Sequence, residues 1–422
     1  MNRDWLAVFE ALKSVYADKA YSNMAINEAL LHHNGCKESF VRNYAKGVLR
    51  DTIKLDYFID SLASRGIGKI KVRPLIILRM GIYAINSLGS VPEHAAVNES
   101  VNLARRVARG SEGFINGVLR SYIRKRDELV IPGDREDVRY SVNSAIISLL
   151  REQYGDEAED ILNAFNEPSK TIIRVNRLRA DRTGVTDSLR AMGIEAEASS
   201  ESPNAIVSSG SGIVSSDLYK AGLISIQSLS SMIAIEALDP KPGSRVLDMC
   251  AAPGGKSAYM AELMDNSGSI TSCDIHEHRL KLIDKTMERL GIDIVQPMHA
   301  DGTLHDKSMD DSFDYVLADV PCSGLGVMAG KPEIRFSLDA DGMAGLQAVQ
   351  KAILKNAARY AKAGGRIEYS TCTLNRDENE RIVESVLNES KDSLISIIEM
   401  KTLMPYNSKV GFFYCILEKG SL

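Results

Sequence analysis

Apolar positions recur every three or four residues through most of the first third of the chain. Residues 5–16, 22–33, 39–63, 70–88, 93–108 and 113–125 each carry that spacing, the mark of a helix with one buried face. Gly35, Gly66, Gly68, Gly89 and Gly110 punctuate the runs. Pro74 and Pro92 stand where a helix's first turn tolerates proline. Residues 127–137 break the pattern and read as a linker. Residues 144–154 and 156–165 are again helical. The alternating run 171–176 reads as a strand, and 186–192 as a helix closed by Gly193. The serine-rich stretch 199–216, around Ile206-Val207 and Ile213-Val214, reads as short strands joined by loops. No aromatic pair sits there in the way an RNA-recognition sheet stacks bases.

The pattern changes after Ser225. A helix over 227–238 runs into the turn Asp239-Pro240-Lys241-Pro242-Gly243. Strands at 244–248, 269–274, 294–299, 313–319 and 365–370 then alternate with helices at 257–263, 278–290, 343–361 and 378–389. That alternation predicts a parallel, doubly wound sheet. The apolar run 412–418 has no helix after it and reads as an edge strand. The expected fold is multidomain: an all-α domain over 1–128, a small α+β domain over 136–216 and a Rossmann-like α/β domain over 217–422.

Composition narrows the class. The chain has 422 residues, 44% hydrophobic and 25% charged, the balance of an ordinary soluble globular protein. No apolar run reaches membrane-spanning length, and Met1-Asn2-Arg3-Asp4-Trp5 lacks a signal-peptide pattern. A cytoplasmic protein with no membrane association is expected. Six cysteines are scattered without any C-x-x-C pair, which argues against a zinc or redox motif; no metal is expected. Residues 1–130 hold 20 Lys+Arg against 13 Asp+Glu, whereas the remainder holds 31 against 43. A basic third on an acidic chain suggests an anionic partner for that third, although a plain solvated surface fits the composition equally well.

The chemistry centres on Asp248-Met249-Cys250-Ala251-Ala252-Pro253-Gly254-Gly255-Lys256-Ser257, a strand end, a Gly-rich turn and a helix start. That order forms a cradle for a nucleotide-like ligand. A phosphate-binding P-loop would need glycine at Cys250, and the dinucleotide pattern G-x-G-x-x-G is absent. A loop for S-adenosylmethionine remains. Asp274, closing the second strand of this region, and Asp301, after the third, stand where carboxylates would bind a ribose and an adenine. Each alone is more simply a helix cap; in register they favour a ligand. The fourth strand ends in Asp319-Val320-Pro321-Cys322 and the fifth in Tyr369-Ser370-Thr371-Cys372. Strand carboxyl ends share one crevice, where a thiolate can attack an electron-poor ring carbon.

These three stretches resemble the motifs of the RNA cytosine-C5 methyltransferase family, whose Pro-Cys and Thr-Cys pair is highly specific. Two N-terminal stretches, Arg79-Met80-Gly81-Ile82-Tyr83 with Val91-Pro92-Glu93-His94-Ala95-Ala96-Val97-Asn98-Glu99, and Gly113-Phe114-Ile115-Asn116-Gly117-Val118-Leu119-Arg120, resemble a NusB-type RNA-binding domain. Together they resemble the 16S rRNA methyltransferase B (RsmB/Sun) subfamily along nearly the whole chain. The resemblance implies that Cys372 attacks C6 of cytosine, that Asp319 holds and protonates N3, and that Cys322 assists release. It implies that Cys250, Ala251, Ala252, Pro253, Gly254, Gly255, Lys256, Asp274, Asp301 and Asp319 line the S-adenosylmethionine site, with Lys256 alternatively supporting the catalytic face. The partner implied is 16S rRNA, naked or in an early assembly intermediate, met by a monomer. Two alternatives stay open: an RNA-binding module with an inactive catalytic domain, against which the intact Cys372, Cys322 and Asp319 argue, and the same enzyme acting on tRNA. The chain departs from the family pattern at Val320, Ser228, Val410 and Glu368. Glu368 falls in a strand expected to be buried on both faces, so it is expected to have a cationic partner or an exposed strand end.

Overall fold

In a computed structural model, residues 2–167, 170–210, 212–337, 340–389 and 395–420 are described. The chain divides into two units, Met1–Asn166 with Met328–Leu338, and Glu167–Val327 with Asp339–Leu422.

The first unit is helical. Its main helices are Arg3–Asp18, Ser22–His32, Glu38–Arg50, Thr52–Leu62, Val72–Ser87, Glu93–Val107 and Glu112–Lys125, with Ser144–Tyr154 and Glu157–Ala164 following. The single helix expected over 39–63 is two, parted at Asp51. The Thr52 hydroxyl bonds back to the carbonyls of Val48 (3.1 Å) and Leu49 (2.9 Å), the competition with the backbone ladder that bends helices. The expected linker is shorter than 127–137, because Glu136–Tyr140 is already helical. The apolar stripes meet around Trp5, Tyr44 and Tyr83, all buried. Arg79 is drawn into this core by a paired contact with Asp56 at 2.7 Å. Arg105, Arg106, Arg109, Arg120, Arg124, Lys125 and Arg126 are all exposed. The segment after Val327 also belongs here: Arg335, fully buried, donates to the carbonyls of Tyr140 and Phe165, two helix ends, and to Asn166.

The second unit holds two sheets. The smaller comprises β1 (Thr171–Val175), β2 (Glu197–Ala198), β3 (Ala205–Ser208) and β4 (Ile224–Ile226), in the order β2-β3-β1-β4 with every pair antiparallel. Ile213 and Val214 lie in a 3-10 turn rather than a strand, entered through Gly212 at φ 81°. The larger comprises β5 (Arg245–Asp248), β6 (Ser269–Asp274), β7 (Val295–His299), β8 (Phe313–Asp319), β9 (Ala361–Thr371), β10 (Ile395–Leu403) and β11 (Phe412–Lys419). Their order is β10-β11-β9-β8-β5-β6-β7. The five strands β5 to β9 run parallel, as the alternation predicts. The order reverses at β5, so the crevice for a ligand opens above β5 and β8.

The run 412–418 is not the edge. β11 lies between β9 and β10, antiparallel to both, and β10 forms the edge. β10 escaped the sequence pattern because it is largely exposed, carries Glu399 and Lys401, and is bulged at Ile397/Glu399. Those are the devices that keep an open edge from pairing further. The expectation for Glu368 also fails. It is fully buried in β9, and among the described residues neither carboxylate oxygen has a hydrogen-bond partner. Burial instead pushes its pKa to about 8, so the side chain is kept neutral. Among the described residues, no helix is long and apolar enough to cross a membrane.

Candidate functional site

The Gly-rich turn between β5 and the helix Gly255–Leu263 is pinned from every side. Gly254 sits at φ 98°, and a Cβ there would come within 3.1 Å of Met287 Cε and 3.3 Å of Ile283 Cα, so only glycine fits. The Ala251 N–H donates to the Cys273 carbonyl at 2.7 Å. The Ala252 carbonyl accepts from Arg279 and the Pro253 carbonyl from Thr286 Oγ1, both at 3.0 Å. Beneath the turn Asp248 is buried and accepts from Ser257 Oγ at 2.6 Å; burial pushes its pKa to about 7. At Gly255 a Cβ would meet nothing within 4 Å, which leaves the start of the helix approachable, as an anionic or carboxylate group requires.

Asp274 and Asp301 do not cap helices. Asp274, nearly buried, accepts from the His276 N–H at 2.9 Å and pairs with Arg279 at 3.2 Å. Since Arg279 also holds the Ala252 carbonyl, the end of β6 and the turn move as one. Asp301 accepts from the Thr303 N–H and hydroxyl at 2.9 and 2.7 Å. It lines a cavity of about 210 Å³ at the ends of β5, β6 and β7, walled by Leu247, Met249, Cys273, Met298 and Tyr360. A slot of apolar walls with polar groups at its rim, Asp301 and Asp306 with His299 and His305, suits a heteroaromatic base with a polar edge. The residues present therefore fit the adenosine end of S-adenosylmethionine.

The catalytic candidates converge at the ends of β8 and β9. The sulfurs of Cys322 and Cys372 lie 3.3 Å apart. The pKa of Cys322 stands well above its ordinary value, because its sulfur bonds to Cys372 and because it is buried. Asp319 accepts from Lys256 Nζ at 2.6 Å and from Ser370 Oγ at 3.3 Å. Burial alone would lower the Lys256 pKa, but the Asp319 charge and hydrogen bond outweigh it, with Asp248 adding, and hold it at about 12. Lys256 thus belongs to the donor turn by sequence and to Asp319 by contact. Cys250 is a partly buried thiol whose pKa burial raises well above normal; its N–H donates to Asp248, whereas the Cys322 sulfur meets that of Cys372.

Sequence reasoning missed what holds this arrangement. Glu378, fully buried, accepts from the Ser323 N–H (2.8 Å) and hydroxyl (2.5 Å), Gln350 Nε2 (3.0 Å) and Asn375 Nδ2 (3.0 Å). It clamps the residue after Cys322 to the loop after Cys372. Thr373 Oγ1 meets Ser323 Oγ at 2.8 Å, and Gly326 donates to the Cys372 carbonyl at 3.0 Å. Gly326 and Gly411 are in backbone contact, since a Cβ on Gly326 would fall 1.9 Å from the Gly411 carbonyl oxygen. The polar run Asn375-Arg376-Asp377-Glu378-Asn379 right after the Thr-Cys motif was the available signal.

The chain resembles known proteins in all its parts. The family model for 16S rRNA methyltransferase RsmB/F matches residues 235–416, the NusB family model residues 5–124, and the ferredoxin-like domain of RsmF/B-like methyltransferases residues 145–214. The probable ribosomal RNA small subunit methyltransferase B of Bacillus subtilis (strain 168) is 35% identical over 437 aligned residues, covering 97% of each chain. The chain belongs to the RsmB/F family of rRNA methyltransferases. Its counterpart of similar name in Synechocystis is 31% identical over 98% of each chain. The solved structure of PH0851 superposes with a TM-score of 0.83 at 26% identity, over 99% of this chain and 98% of that one. As a member of this family the chain is an S-adenosylmethionine-dependent RNA methyltransferase with a NusB-like helical domain and a Rossmann-like catalytic domain. The departures from the family pattern have local explanations. Ser228 caps the helix Leu229–Leu238, accepting from the Ser231 N–H at 3.2 Å. Val410 meets Ser230 through its backbone N–H and carbonyl, and Val320 is held through its backbone to Ser370. Neither contact depends on its side chain.

Proposed function

We propose that the chain methylates C5 of a cytosine in 16S rRNA through a covalent bond between Cys372 and C6. The observation that carries this reading is the pair of sulfurs 3.3 Å apart beside the Lys256–Asp319 ion pair. S-adenosylmethionine, held by Cys250 to Lys256 with Asp274 and Asp301, supplies the methyl group as an electrophile. The Cys372 sulfur donates its electron pair to C6. As that bond forms, the proton of the Cys372 thiol passes by way of the Asp319 carboxylate to N3; the C5–C6 π pair moves between C5 and C4 and the C4–N3 π pair onto N3, which takes the proton, so C5 becomes the nucleophilic carbon of an enamine. After C5 is alkylated, a base from solvent takes the C5 proton, its electron pair re-forms the C5–C6 bond as the C6–S bond breaks with Cys372 leaving as thiolate, and the N3 proton returns through Asp319 to that sulfur. Cys322, kept a thiol by its raised pKa, donates to that sulfur and stabilises the departing thiolate. Lys256 fixes the Asp319 carboxylate throughout.

C6 is accessible only when the base leaves its stack, at about a few kcal/mol, so an unpaired segment of rRNA, naked or in an early assembly intermediate, is the substrate we propose. The divisions 1–128, 136–216 and 217–422 then share the work, with the exposed arginines of the helical domain gripping phosphates and a monomer sufficing. Incubation with labelled S-adenosylmethionine and either 16S rRNA or tRNA, followed by mapping, tests the reading. We expect 5-methylcytosine in rRNA. Cys322→Ala should accumulate a covalent RNA–protein complex, whereas Cys372→Ala should give neither complex nor product. Full activity of Cys372→Ala, or methylation of another atom, would overturn it.

A further inference from the structure

Arg174 lies in β1, between β3 and β4 of the small sheet, and is almost wholly buried. One terminal nitrogen donates to the Gly255 carbonyl at 2.7 Å and to Gln227 Oε1; the other meets Glu262 Oε1 at 2.7 Å. Its guanidinium lies over the Tyr259 ring, 5.1 Å from the centroid. Gly255, Tyr259 and Glu262 fall at i, i+4 and i+7 of the helix that follows the donor turn, so they share one face. A single cation from another sheet therefore spans the first two turns of that helix. It grips the helix at Gly255, the residue before Lys256, which in turn holds Asp319.

We infer that Arg174 is a positioning residue for methyl-donor binding, fixing the Gly255 end of the turn, so that the small sheet is part of the donor site. This rests on the reading of Cys250 to Lys256 as that site. The contact is poorly arranged as a device for stability. Among the described residues Arg174 Nε and Glu262 Oε2 are both buried without a hydrogen-bond partner, and a buried ion pair left incompletely bonded gains little over apolar side chains of the same volume. What the fork geometry adds is direction, since guanidinium serves three acceptors at once in a plane, which an ammonium cannot.

The test separates position from stability in the full chain. Arg174→Met strands the Glu262 carboxyl and should lower both the melting temperature and the affinity for S-adenosylmethionine measured by calorimetry. The double variant Arg174→Met/Glu262→Leu removes the stranded group and should regain the melting temperature, yet bind S-adenosylmethionine about tenfold more weakly than the parent. Arg174→Lys, which can still pair with Glu262, should likewise melt near the parent and bind weakly. If affinity returns with stability in the double variant, or if Arg174→Lys binds normally, Arg174 only supports the fold and the inference is wrong. Should the double variant not fold, the lysine variant decides. Asp301→Ala distinguishes the underlying reading: unchanged affinity there would mean that the donor site itself is misplaced, whatever Arg174 does.

Discussion

The two halves of the crevice are built in different ways. The donor half, at the ends of β5, β6 and β7, is held largely by residues close in sequence to the turn or on its own helix pair: Gly254 against Ile283 and Met287, Asp248 against Ser257, Arg279 against Ala252. The acceptor half, at the ends of β8 and β9, joins two cysteines 50 positions apart; Glu378 and Asn375, from the loop after Cys372, reach across to Ser323 beside Cys322, with Gln350 and the Gly411 backbone joining from farther along the chain. A turn that binds a ligand by its backbone can carry its own geometry in a short motif. Two cysteine loops that come from separate strands need a third group to set their distance, and here the Glu378 carboxylate bonds to both.

The largest expected effect comes from removing that clamp. Glu378→Ala leaves Ser323, Gln350 and Asn375 without their shared acceptor and frees the two cysteine loops from each other. Turnover should fall about a hundredfold, because displacements near an ångström cost that much where a nucleophile must be aligned. The affinity for S-adenosylmethionine should stay within about twofold, since the donor half makes none of these bonds. Steady-state kinetics with a binding titration checks both. Equal losses in the two quantities would erase the distinction between the halves.

That asymmetry also explains what the residues disclosed in advance. The donor turn was readable from its glycines and from the position of the strands around it, and the alternation of strands and helices placed Asp274, Asp301 and Asp319 at strand ends. That Cys322 and Cys372 share one crevice was readable from the strands they end, but their sulfur-to-sulfur contact was not, because no local spacing reports which loops touch. Gln350 and Arg174 were invisible, and Glu378 was marked only by the polar run it stands in, for the same reason: a buried polar residue is indistinguishable in sequence from a solvated one until its partners are known. β10 was missed because an exposed, bulged edge has no apolar alternation to see. Glu368 was noticed as an anomaly, but whether a buried carboxyl is paired or neutral depends on geometry.

Glu368 gives the next effect in size and reaches under both halves, since Lys256, Asp319 and Asp248 all act on its charge. Its pKa rises from 4.5 in the open chain to about 8 in the folded one, first through burial. The folded state therefore binds its proton more tightly. The stability tied to that proton is complete below about pH 4.5 and is lost as pH climbs through about 8. Glu368→Leu should stabilise the chain by about 1–2 kcal/mol at pH 8, in line with other replacements of buried ionisable groups by apolar ones. The gain should shrink steadily toward pH 5. Thermal melts of parent and variant across that range test it, and a gain that grows on acidification would show that the carboxyl is ionised in the fold.

The smallest effect sharpens the comparison most. The donor half also contains a cysteine, Cys250, two residues past the buried end of β5. Its pKa is held well above normal by burial, with the charges of Asp248, Asp319 and Asp274 raising it further, so it is a thiol rather than a thiolate at neutral pH. A nucleophile needs the reverse. What Cys250 gives the turn is its N–H, which donates to Asp248 at 3.4 Å, and a small apolar body packed beside the core of the sheet. Both survive in Cys250→Ala apart from the lost sulfur contacts. Turnover and the yield of covalent RNA complex should therefore stay within about twofold of the parent. A loss of complex in this variant as deep as in Cys372→Ala would move the nucleophile into the donor half and dissolve the division between the two.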